Sequence, residues 1–263
     1  MHIAGLVLLV SVVGYFGGLL FWPWALQDPL TNPLKSLSEM SNFSVSIKML
    51  FEGRHLWSDQ LPWYYIPKWI AIGSPLFLLA GVILFPVILF KFRRSGSFIY
   101  LLFVAFTAVF PVSYAVIKGS SLYDGMRHFL FVIPILAVLS AWSWEKLIDW
   151  KPAATYRYSV SGALSLGLVM PLFWMFGNHP FQTVYFNEIF GKAKNAYGNY
   201  EMDYWMNSMK SMCEWLVEND PEIRSGAEKT ILTSSMDPVA YYMRQLAPNV
   251  KVQYVRYTDR HSK

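Results

Sequence analysis

Five runs of apolar residues without a charged side chain alternate with polar segments along the chain. A helix needs roughly 20 apolar residues to cross a bilayer, with a usual range of about 17–25. Four runs reach that length, and the run from Phe129 reaches it when His128 or Glu145 lies at an interface. We predict a polytopic α-helical membrane protein with about five transmembrane helices: Ile3–Trp24, Trp69–Phe90, Ser97–Ile117, Phe129–Trp144 and Tyr158–Gly177.

Two features could argue against five membrane helices: four of the runs contain a proline, and the first run lies where a signal peptide would lie. Neighbouring helices tolerate proline in a membrane, so we expect kinks at Pro86, Pro111, Pro134 and Pro171. The first run has no basic residue before it and no small-x-small cleavage site after it. We therefore expect an uncleaved helix and not a signal peptide.

Two short basic loops set the predicted orientation. Lys91–Gly96 and Glu145–Arg157 each carry three Lys or Arg residues. Because short cytoplasmic loops are enriched in these residues, both loops are predicted to be cytoplasmic. We predict an integral protein of a bacterial inner membrane, with a transmembrane domain over residues 1–177 that includes an outer loop at 23–68. Residues 178–263 would form a small extracytoplasmic α/β domain.

The predicted outer loop ends in an aromatic segment. Its apolar residues between Leu34 and Phe51 are spaced intermittently, which favours short helices lying along the interface. The segment LPWYYIPKW follows and contains Trp63, Tyr64 and Tyr65. Such residues form aromatic belts where helices enter a membrane, but they are also suited to a platform for a sugar ring or a polyprenyl chain.

The tail has the pattern of a small α/β unit. Four apolar side chains recur at the 4-3-4 spacing of an amphipathic helix: Trp205, Met209, Met212 and Leu216. TILTSS and VKVQYV predict strands on either side of a helix over VAYYMRQL, with Asp237 as its N-cap and Pro238 as its first residue. The strands of such a βαβ unit are parallel. Because two parallel strands do not form a stable sheet alone, we expect the tail to be incomplete.

Composition and motifs exclude several function classes. The chain is 54% hydrophobic and 15% charged, and its basic excess lies beside the apolar runs, so no nucleic-acid partner is expected. The lone Cys213 excludes an internal disulfide and a cysteine-based zinc site. The sequence contains no P-loop, GxGxxG, HExxH or GxSxG motif. No cofactor is predicted, and a divalent metal ion stays an open alternative.

The loop KGSSLYDGMRHFLF places charge at the entrance of a predicted helix. Charge there is costly unless it is paired or functional. Arg127 either extends to the interface from the helix end or holds a lipid-linked phosphate, whose oxygens suit the planar guanidinium. A local ion pair with Asp124 would favour the first alternative. Tyr123 and His128 flank this group.

The segment His179–Ser208, here called the collar, mixes aromatic and polar residues after the last apolar run. Sugars present apolar faces and many hydroxyls, so a sugar site needs aromatic rings beside amides and carboxylates. The collar supplies this mixture through Tyr185, Asn187, Glu201, Asp203, Tyr204 and Trp205. The alternative is a junction that packs the tail onto the membrane domain.

Three of these segments carry a resemblance to a known family: FEGRHLWSDQLPWYYIPKW, YDGMRHFLFVIPIL and HPFQTVYFNEIFGKAKNAYGNYEMDYWMNSMK. Together they resemble lipid-carrier-dependent glycosyltransferases of the GT-C superfamily, in the family 39 group of protein O-mannosyltransferases and aminoarabinose transferases. The resemblance implies transfer of a sugar from a polyprenyl- or dolichyl-phosphate to a hydroxyl acceptor on the outer face. An acidic residue would act as general base while the carrier phosphate leaves.

The resemblance and the residue pattern together name the candidate site. Arg127 and His128 are candidates for binding the carrier phosphate. The candidates for the substrate cavity are Arg54, Trp63, Tyr64, Tyr65, Tyr123, Tyr185, Asn187, Glu201, Asp203 and Tyr204. The bilayer and the lipid-linked sugar are the expected partners.

The chain also departs from that family. Its members are roughly twice as long, and their catalytic acidic residue follows the first helix of the amino-terminal half. Asp28 lies in the first loop here, but its surroundings resemble a later loop, so no general base is assigned. The chain is expected to be a carboxy-terminal portion or to need a partner subunit.

A non-catalytic scaffold is the alternative function, and a transporter is disfavoured because the apolar runs contain no ionisable residue.

Overall fold

The computed structural model describes residues 3–41, 46–203 and 206–256, and most of them are helical. The helices are α1 (Ile3–Leu19), α2 (Pro23–Gln27), α3 (Thr31–Ser41), α4 (Tyr65–Gly73), α5 (Leu76–Lys91), α6 (Phe98–Lys118), α7 (Val132–Ile148), α8 (Ala154–Gly177), α9 (Lys192–Ala196), α10 (Met209–Asn219), α11 (Pro221–Arg224) and α12 (Met236–Leu246). The strands are β1 (Lys48–Phe51), β2 (Arg54–Trp57), β3 (Lys229–Thr233) and β4 (Val250–Tyr254). Single 3₁₀ turns form at Arg127–Phe129 and Gln182–Val184.

Within the described residues, two helices are long and apolar enough to cross a membrane: α6 with 21 residues and α8 with 24. The apolar helices α1 and α5 are shorter, and α7 has 17 residues. Pro86, Pro111 and Pro171 lie inside α5, α6 and α8. The structure therefore has a largely helical architecture with two candidate membrane-spanning helices, and the further spans stay predictions.

The predicted second span is interrupted. Its sequence forms the end of α4 and all of α5, with Ser74 and Pro75 extended between them. Proline disfavours helical geometry in the residue before it, and this accounts for the end of α4 at Gly73. The break matters for function because Gly73, Ser74 and Pro75 line a cavity described below.

Helices α5 and α7 form the closest helix pair. Gly81 lies against Ser140, and the indole nitrogen of Trp144 donates to the Phe77 carbonyl at 2.9 Å. Small residues at a helix contact allow backbones to approach, as is usual for helices in membranes. Helices α6 and α8 also pack against α7, and α8 contacts α5 as well.

Residues 48–57 form a β-hairpin and not an interfacial helix, so the prediction for this part of the loop is wrong. The turn consists of Glu52 and Gly53, whose φ angles of 52° and 74° are both positive. Consecutive positive φ angles match the two-residue turns that twist with a hairpin. Met49 and Phe51 alternate into the core, which the mixed spacing of the loop had concealed. Helix α3 does form, as predicted for the earlier part.

The collar packs onto this hairpin and onto α4. Phe186, Ala196 and Tyr200 belong to the same buried cluster as Phe51 and Trp69. Tyr200 also forms a β-bridge with Phe51, and the Gly53 amide donates to the Asn199 carbonyl at 3.0 Å. The collar thus shares its core with the helices.

The tail has a separate core, and the βαβ prediction is confirmed. Strands β3 and β4 are parallel, and α12 connects them. The core contains Cys213, Ile223, Val239, Met243 and Val250. Helix α12 begins at Met236, two residues before the predicted start at Pro238. Asp237 therefore lies in its first turn, and Ser235 occupies the N-cap position. Trp205 lies outside the described residues, whereas Met209 and Leu216 pack against this core.

Gly81→Ala tests the close approach of α5 and α7. An added Cβ would overlap Ser140 Oγ and lie 2.8 Å from Ser140 Cα. We expect the free energy of unfolding to fall by about 1–3 kcal/mol, because an overpacked contact forces the backbones apart. Thermal unfolding of the purified chain in detergent would measure this change.

Gly162→Ala is the matched control, since it is the same substitution in α8 with no atom within 4 Å of the added Cβ. Its unfolding temperature should stay unchanged or rise slightly, because alanine favours helix over glycine. Equal unfolding temperatures for the two variants would show that the α5–α7 contact does not limit stability.

Candidate functional site

A cavity of about 330 Å³ lies where α4, the loop before α7 and the collar meet. We call it the Arg127 cavity. Its polar lining residues are Ser74, Asp124, Arg127, Thr183, Tyr185 and Glu201, together with the indole of Trp69. Leu130, Ile133, Phe186 and Met202 contribute apolar walls. The cavity therefore combines a cation, two carboxylates and an apolar surface at the end of α7.

A tight turn at Asp124 and Gly125 positions one wall of the cavity. Both residues have positive φ angles, 57° and 65°. The Gly125 amide donates to the Tyr65 hydroxyl at 3.1 Å, and a Cβ at Gly125 would lie 3.4 Å from the Trp69 ring. An added Cβ would be in ordinary van der Waals contact there, so it is the positive φ that favours glycine at residue 125.

Arg127 lies beside this turn and interacts with residues on both sides. One of its guanidinium nitrogens is 3.3 Å from Asp124 Oδ2, and the guanidinium carbon lies 5.5 Å from the centre of the Tyr123 ring. Its side chain is 40% exposed. The predicted local ion pair with Asp124 is present, and the arginine still lines the cavity.

His128 does not line the Arg127 cavity. Its ring stacks edge-on against Tyr123 with 4.6 Å between centroids. Partial burial, followed by the positive charge of Arg127, lowers the pKa of His128. Tyr123 thus contacts both Arg127 and His128.

Glu201 is the second carboxylate of the cavity. Burial, followed by the negative charge of Asp124, raises its pKa to about 7. Burial also raises the pKa of Asp124, although Arg127 acts in the opposite direction. Two carboxylates sharing a partly buried site cannot both ionise without cost, so near neutral pH a proton is readily retained between them.

Two polar atoms of cavity-lining residues are buried away from the cavity space and make no hydrogen bond of standard geometry with the described residues. They are the indole nitrogen of Trp69 and the hydroxyl of Tyr185. Burial, followed by the negative charge of Glu188, raises the pKa of Tyr185 to about 12, so its hydroxyl keeps its proton at neutral pH. Buried polar groups in proteins are nearly always hydrogen-bonded, and looser contacts serve these two: Trp69 acts on the Tyr65 hydroxyl, and Glu188 acts on Tyr185.

Several predicted cavity residues perform structural roles instead. Asn187 is buried, and its amide nitrogen donates to the carbonyls of Ala71 at 2.6 Å and Ser74 at 3.0 Å. Its carbonyl accepts from the Phe190 amide at 3.1 Å. These bonds fasten the collar to the end of α4.

Asp203 also stabilises the backbone. Its carboxylate accepts from the amides of Asn207 at 2.9 Å and Ser208 at 3.1 Å, and from the Ser208 hydroxyl. Asp203 borders a separate cavity near Trp174, not the Arg127 cavity. Tyr204, its neighbour in the chain, lies outside the described residues.

The other aromatic candidates lie away from the cavity lining. Tyr65 is buried beneath it and supports the Gly125 turn. The Tyr64 hydroxyl donates to Glu52 at 3.1 Å, while Trp63 is 71% exposed and packs edge-on against Tyr64. Arg54 is exposed on β2. The structure thus brings Arg127, Tyr185 and Glu201 together, and places these four residues elsewhere.

Sequence reasoning did not assign Ser74, Thr183 or Met202 to the cavity. Ser74 and Pro75 carried a usable signal, because a Ser-Pro pair inside an apolar run marks a break in a helix. Thr183 and Met202 have no such signal. Their position depends on the fold of the collar.

The raised pKa of Glu201 makes stability depend on pH. The folded chain retains this proton up to about pH 7, whereas the ordinary glutamate pKa is 4.5. The free energy of unfolding should therefore fall as pH rises from about 4.5 to 7. Glu201→Gln keeps this position neutral, so its unfolding temperature relative to the unmodified chain should be higher at pH 8 than at pH 5.

Glu218→Gln, at an exposed position of α10, is the control for this experiment. Its unfolding temperature should follow that of the unmodified chain across the same pH range. A constant difference between the unmodified chain and Glu201→Gln at both pH values would contradict retention of a proton at Glu201.

Comparisons with known proteins complete the description of the site. No protein-family model matches the chain, and no curated protein or solved structure matches it. In the described part of the chain, no group of three or more His, Cys, Asp or Glu side chains is arranged to hold a metal ion. Function is therefore argued from the cavity and from the motif resemblance.

Proposed function

We propose that the protein is a membrane glycosyltransferase, or the carboxy-terminal part of one. It would take a sugar from a polyprenyl-phosphate carrier and transfer it to a hydroxyl acceptor on the outer face. The observation that carries the proposal is the lining of the Arg127 cavity: an arginine and two carboxylates beside aromatic and apolar walls. These are the chemical groups that a lipid-linked sugar phosphate requires.

Arg127 is the proposed binding group for the carrier phosphate. Its fork of N–H donors matches two phosphate oxygens, which a point charge cannot do. The present pair with Asp124 is partly exposed, and such pairs contribute only about 0–1 kcal/mol. A charge-assisted bond to a phosphate contributes about 1.5–3 kcal/mol, so a ligand can replace Asp124 as partner.

The apolar walls suit the carrier's hydrocarbon chain. Leu130 follows the 3₁₀ turn that contains Arg127, and Ile133 lies in the first turn of α7. Leu130 is 54% exposed, so it borders both the cavity and its surroundings. A prenyl chain could leave the cavity along these side chains and continue beside the apolar helices.

In the proposed reaction, the acceptor hydroxyl gives its proton to a carboxylate base and attacks the anomeric carbon of the sugar. The bond from that carbon to the phosphate oxygen breaks, and the carrier phosphate leaves with the electron pair. Arg127 would stabilise the charge that develops on the phosphate. The general base stays unassigned.

A non-catalytic scaffold is the second candidate function. Two observations favour it: Arg127 already has a local partner, and Asn187 and Asp203 satisfy backbone groups of the collar. In that case the collar is a junction, and Arg127 contacts no ligand. Substitutions in the cavity would then change stability without changing the binding of a carrier.

Binding of farnesyl phosphate to the full chain in lipid nanodiscs tests the role of Arg127. Arg127→Ala should weaken binding by about 10- to 150-fold, the equivalent of one charge-assisted contact. Arg127→Lys should restore little, because the planar fork is lost. Asp124→Asn should bind at least as tightly as the unmodified chain, because it removes the competing carboxylate.

Arg157→Ala is the matched control, since Arg157 forms a comparable exposed pair with Asp149 at 3.2 Å. It should leave farnesyl phosphate binding unchanged. Equal affinities for Arg127→Ala and Arg157→Ala would contradict phosphate binding by Arg127 and favour the scaffold.

The outer location of the collar and tail is part of the proposal and can be tested by cysteine labelling in intact cells. In a Cys213→Ala background, Ser95→Cys lies in the predicted cytoplasmic loop and Ser225→Cys in the tail. An impermeant maleimide should label Ser225→Cys and leave Ser95→Cys unlabelled until the membrane is permeabilised. Labelling of Ser95→Cys alone would reverse the orientation.

A further inference from the structure

A second cavity, of about 400 Å³, lies between the end of α8 and the collar and shares only Met202 with the Arg127 cavity. We call it the α8 cavity. We propose that it binds an anionic phospholipid of the surrounding membrane, with Lys192 and Lys194 on the phosphate and an acyl chain along the apolar wall. This inference does not depend on what occupies the Arg127 cavity.

Two lysines give the α8 cavity its charge. Lys192 and Lys194 both line it, and both are exposed. Neither forms an ion pair with another residue in the part of the chain that the structure describes. Two ammonium groups without a countercharge at one cavity attract an anion.

The other polar groups at this cavity are already hydrogen-bonded. The Asn178 side-chain nitrogen donates to the Trp174 carbonyl at 2.8 Å. The carboxylate of Asp203 accepts from the amides of Asn207 and Ser208 and from the Ser208 hydroxyl, which compensates its charge. The groups that remain for a ligand are therefore mainly cationic, which favours an anion over a sugar.

The rest of the lining is apolar. Phe181, Val184 and Met202 contribute side chains from the collar, and Trp174 contributes its indole from the last turn of α8. The Trp174 ring is held in place by Tyr185, with 5.0 Å between the ring centroids. An amphiphilic anion fits this lining, because its charged end meets the lysines and its chain meets the apolar side chains.

The turn that carries the lysines is fixed by backbone hydrogen bonds. Gly191 and Lys192 both have positive φ angles, 94° and 61°, and lysine adopts such angles rarely. The Gly191 amide donates to the Glu188 carbonyl at 3.1 Å, and the Lys192 amide donates to the Asn187 carbonyl at 3.1 Å. Since Asn187 is itself fastened to α4, the turn is in place before a lipid arrives.

The position of the cavity favours a membrane lipid as the source of the anion. Helix α8 is one of the two candidate membrane-spanning helices, and tryptophan is enriched where such helices meet the headgroups. Headgroups of the leaflet in which α8 ends would lie at the level of Trp174. A lysine near an anionic membrane surface contributes about 1 kcal/mol of attraction, equivalent to about fivefold in affinity. A soluble phosphate would use the lysines but leave the apolar wall empty.

Photocrosslinking of the full chain in phosphatidylcholine nanodiscs tests the inference. The nanodiscs contain a small fraction of phosphatidylglycerol or phosphatidylcholine with a diazirine in one acyl chain, and mass spectrometry maps the crosslinks. The phosphatidylglycerol probe should label residues 174–202 more than the phosphatidylcholine probe does. Lys192→Gln combined with Lys194→Gln should reduce this labelling about fivefold for each charge removed. Labelling by the phosphatidylcholine probe should stay unchanged.

Two control variants separate local charge from net charge and from folding. Lys210→Gln combined with Lys251→Gln removes the same charge from tail side chains that are 63% and 72% exposed, and it should keep full labelling. Lys192→Arg combined with Lys194→Arg should also keep it. Equal labelling by the two probes in the unmodified chain would overturn the inference. So would unchanged phosphatidylglycerol labelling in the Lys192→Gln, Lys194→Gln variant.

Two further arms identify the source and the place of the anion. Excess glycerophosphoglycerol, which is the headgroup without acyl chains, should not displace the crosslink. Displacement would assign the lysines to a soluble phosphate and overturn the inference. Arg127→Ala should leave the labelling of residues 174–202 unchanged. A loss in that variant would place the lipid in the Arg127 cavity and contradict a separate site.

Discussion

The aromatic cluster around Trp69 is the contact on which the rest of the structure depends. It joins the hairpin through Phe51, helix α4 through Tyr65 and Trp69, and the collar through Phe186 and Tyr200. Aromatic pairs in such edge-on and tilted arrangements contribute about 0.5–1.5 kcal/mol each beyond the area they bury. Without this cluster the collar would not lie beside Arg127, and the cavity would not exist.

Electrostatics gives the cavity its chemical character. Asp124 and Glu201 lie in one partly buried site with Arg127, and the pKa of Glu201 rises to about 7. An arriving phosphate would bring negative charge beside these carboxylates. The phosphate would therefore bind best when Arg127 turns towards it and Glu201 is neutral. Binding of the phosphate is thus linked to protonation of Glu201.

Sequence patterns reveal elements whose packing is simple. The long apolar runs indicated α6 and α8, and the alternation of strand and helix signals indicated the βαβ tail. The hairpin was missed because its short strands lack a clean alternation and its turn is Glu-Gly, not Asn-Gly. The break before α5 was hidden because Ser74 and Pro75 lie inside a run that is otherwise continuously apolar.

The candidate site was predictable only in part, for a related reason. Arg127 stood out because charge at the entrance of an apolar helix is costly unless it is paired or functional. Asn187 was predicted to be a sugar-binding amide, but its side chain donates to backbone carbonyls. In a sequence, an amide that binds its own backbone looks the same as one that binds a ligand. The placement of Trp69, Tyr185 and Glu201 around one cavity depends on contacts between distant segments, which no local pattern contains.

The most direct test of the account is a cryo-electron microscopy structure of the full chain in nanodiscs with farnesyl phosphate. The account predicts phosphate density within hydrogen-bonding distance of the Arg127 guanidinium, with Arg127 turned away from Asp124 and the prenyl chain along Leu130 and Ile133. Phosphate density elsewhere, with Arg127 still paired to Asp124 as it is at 3.3 Å, would contradict the central claim.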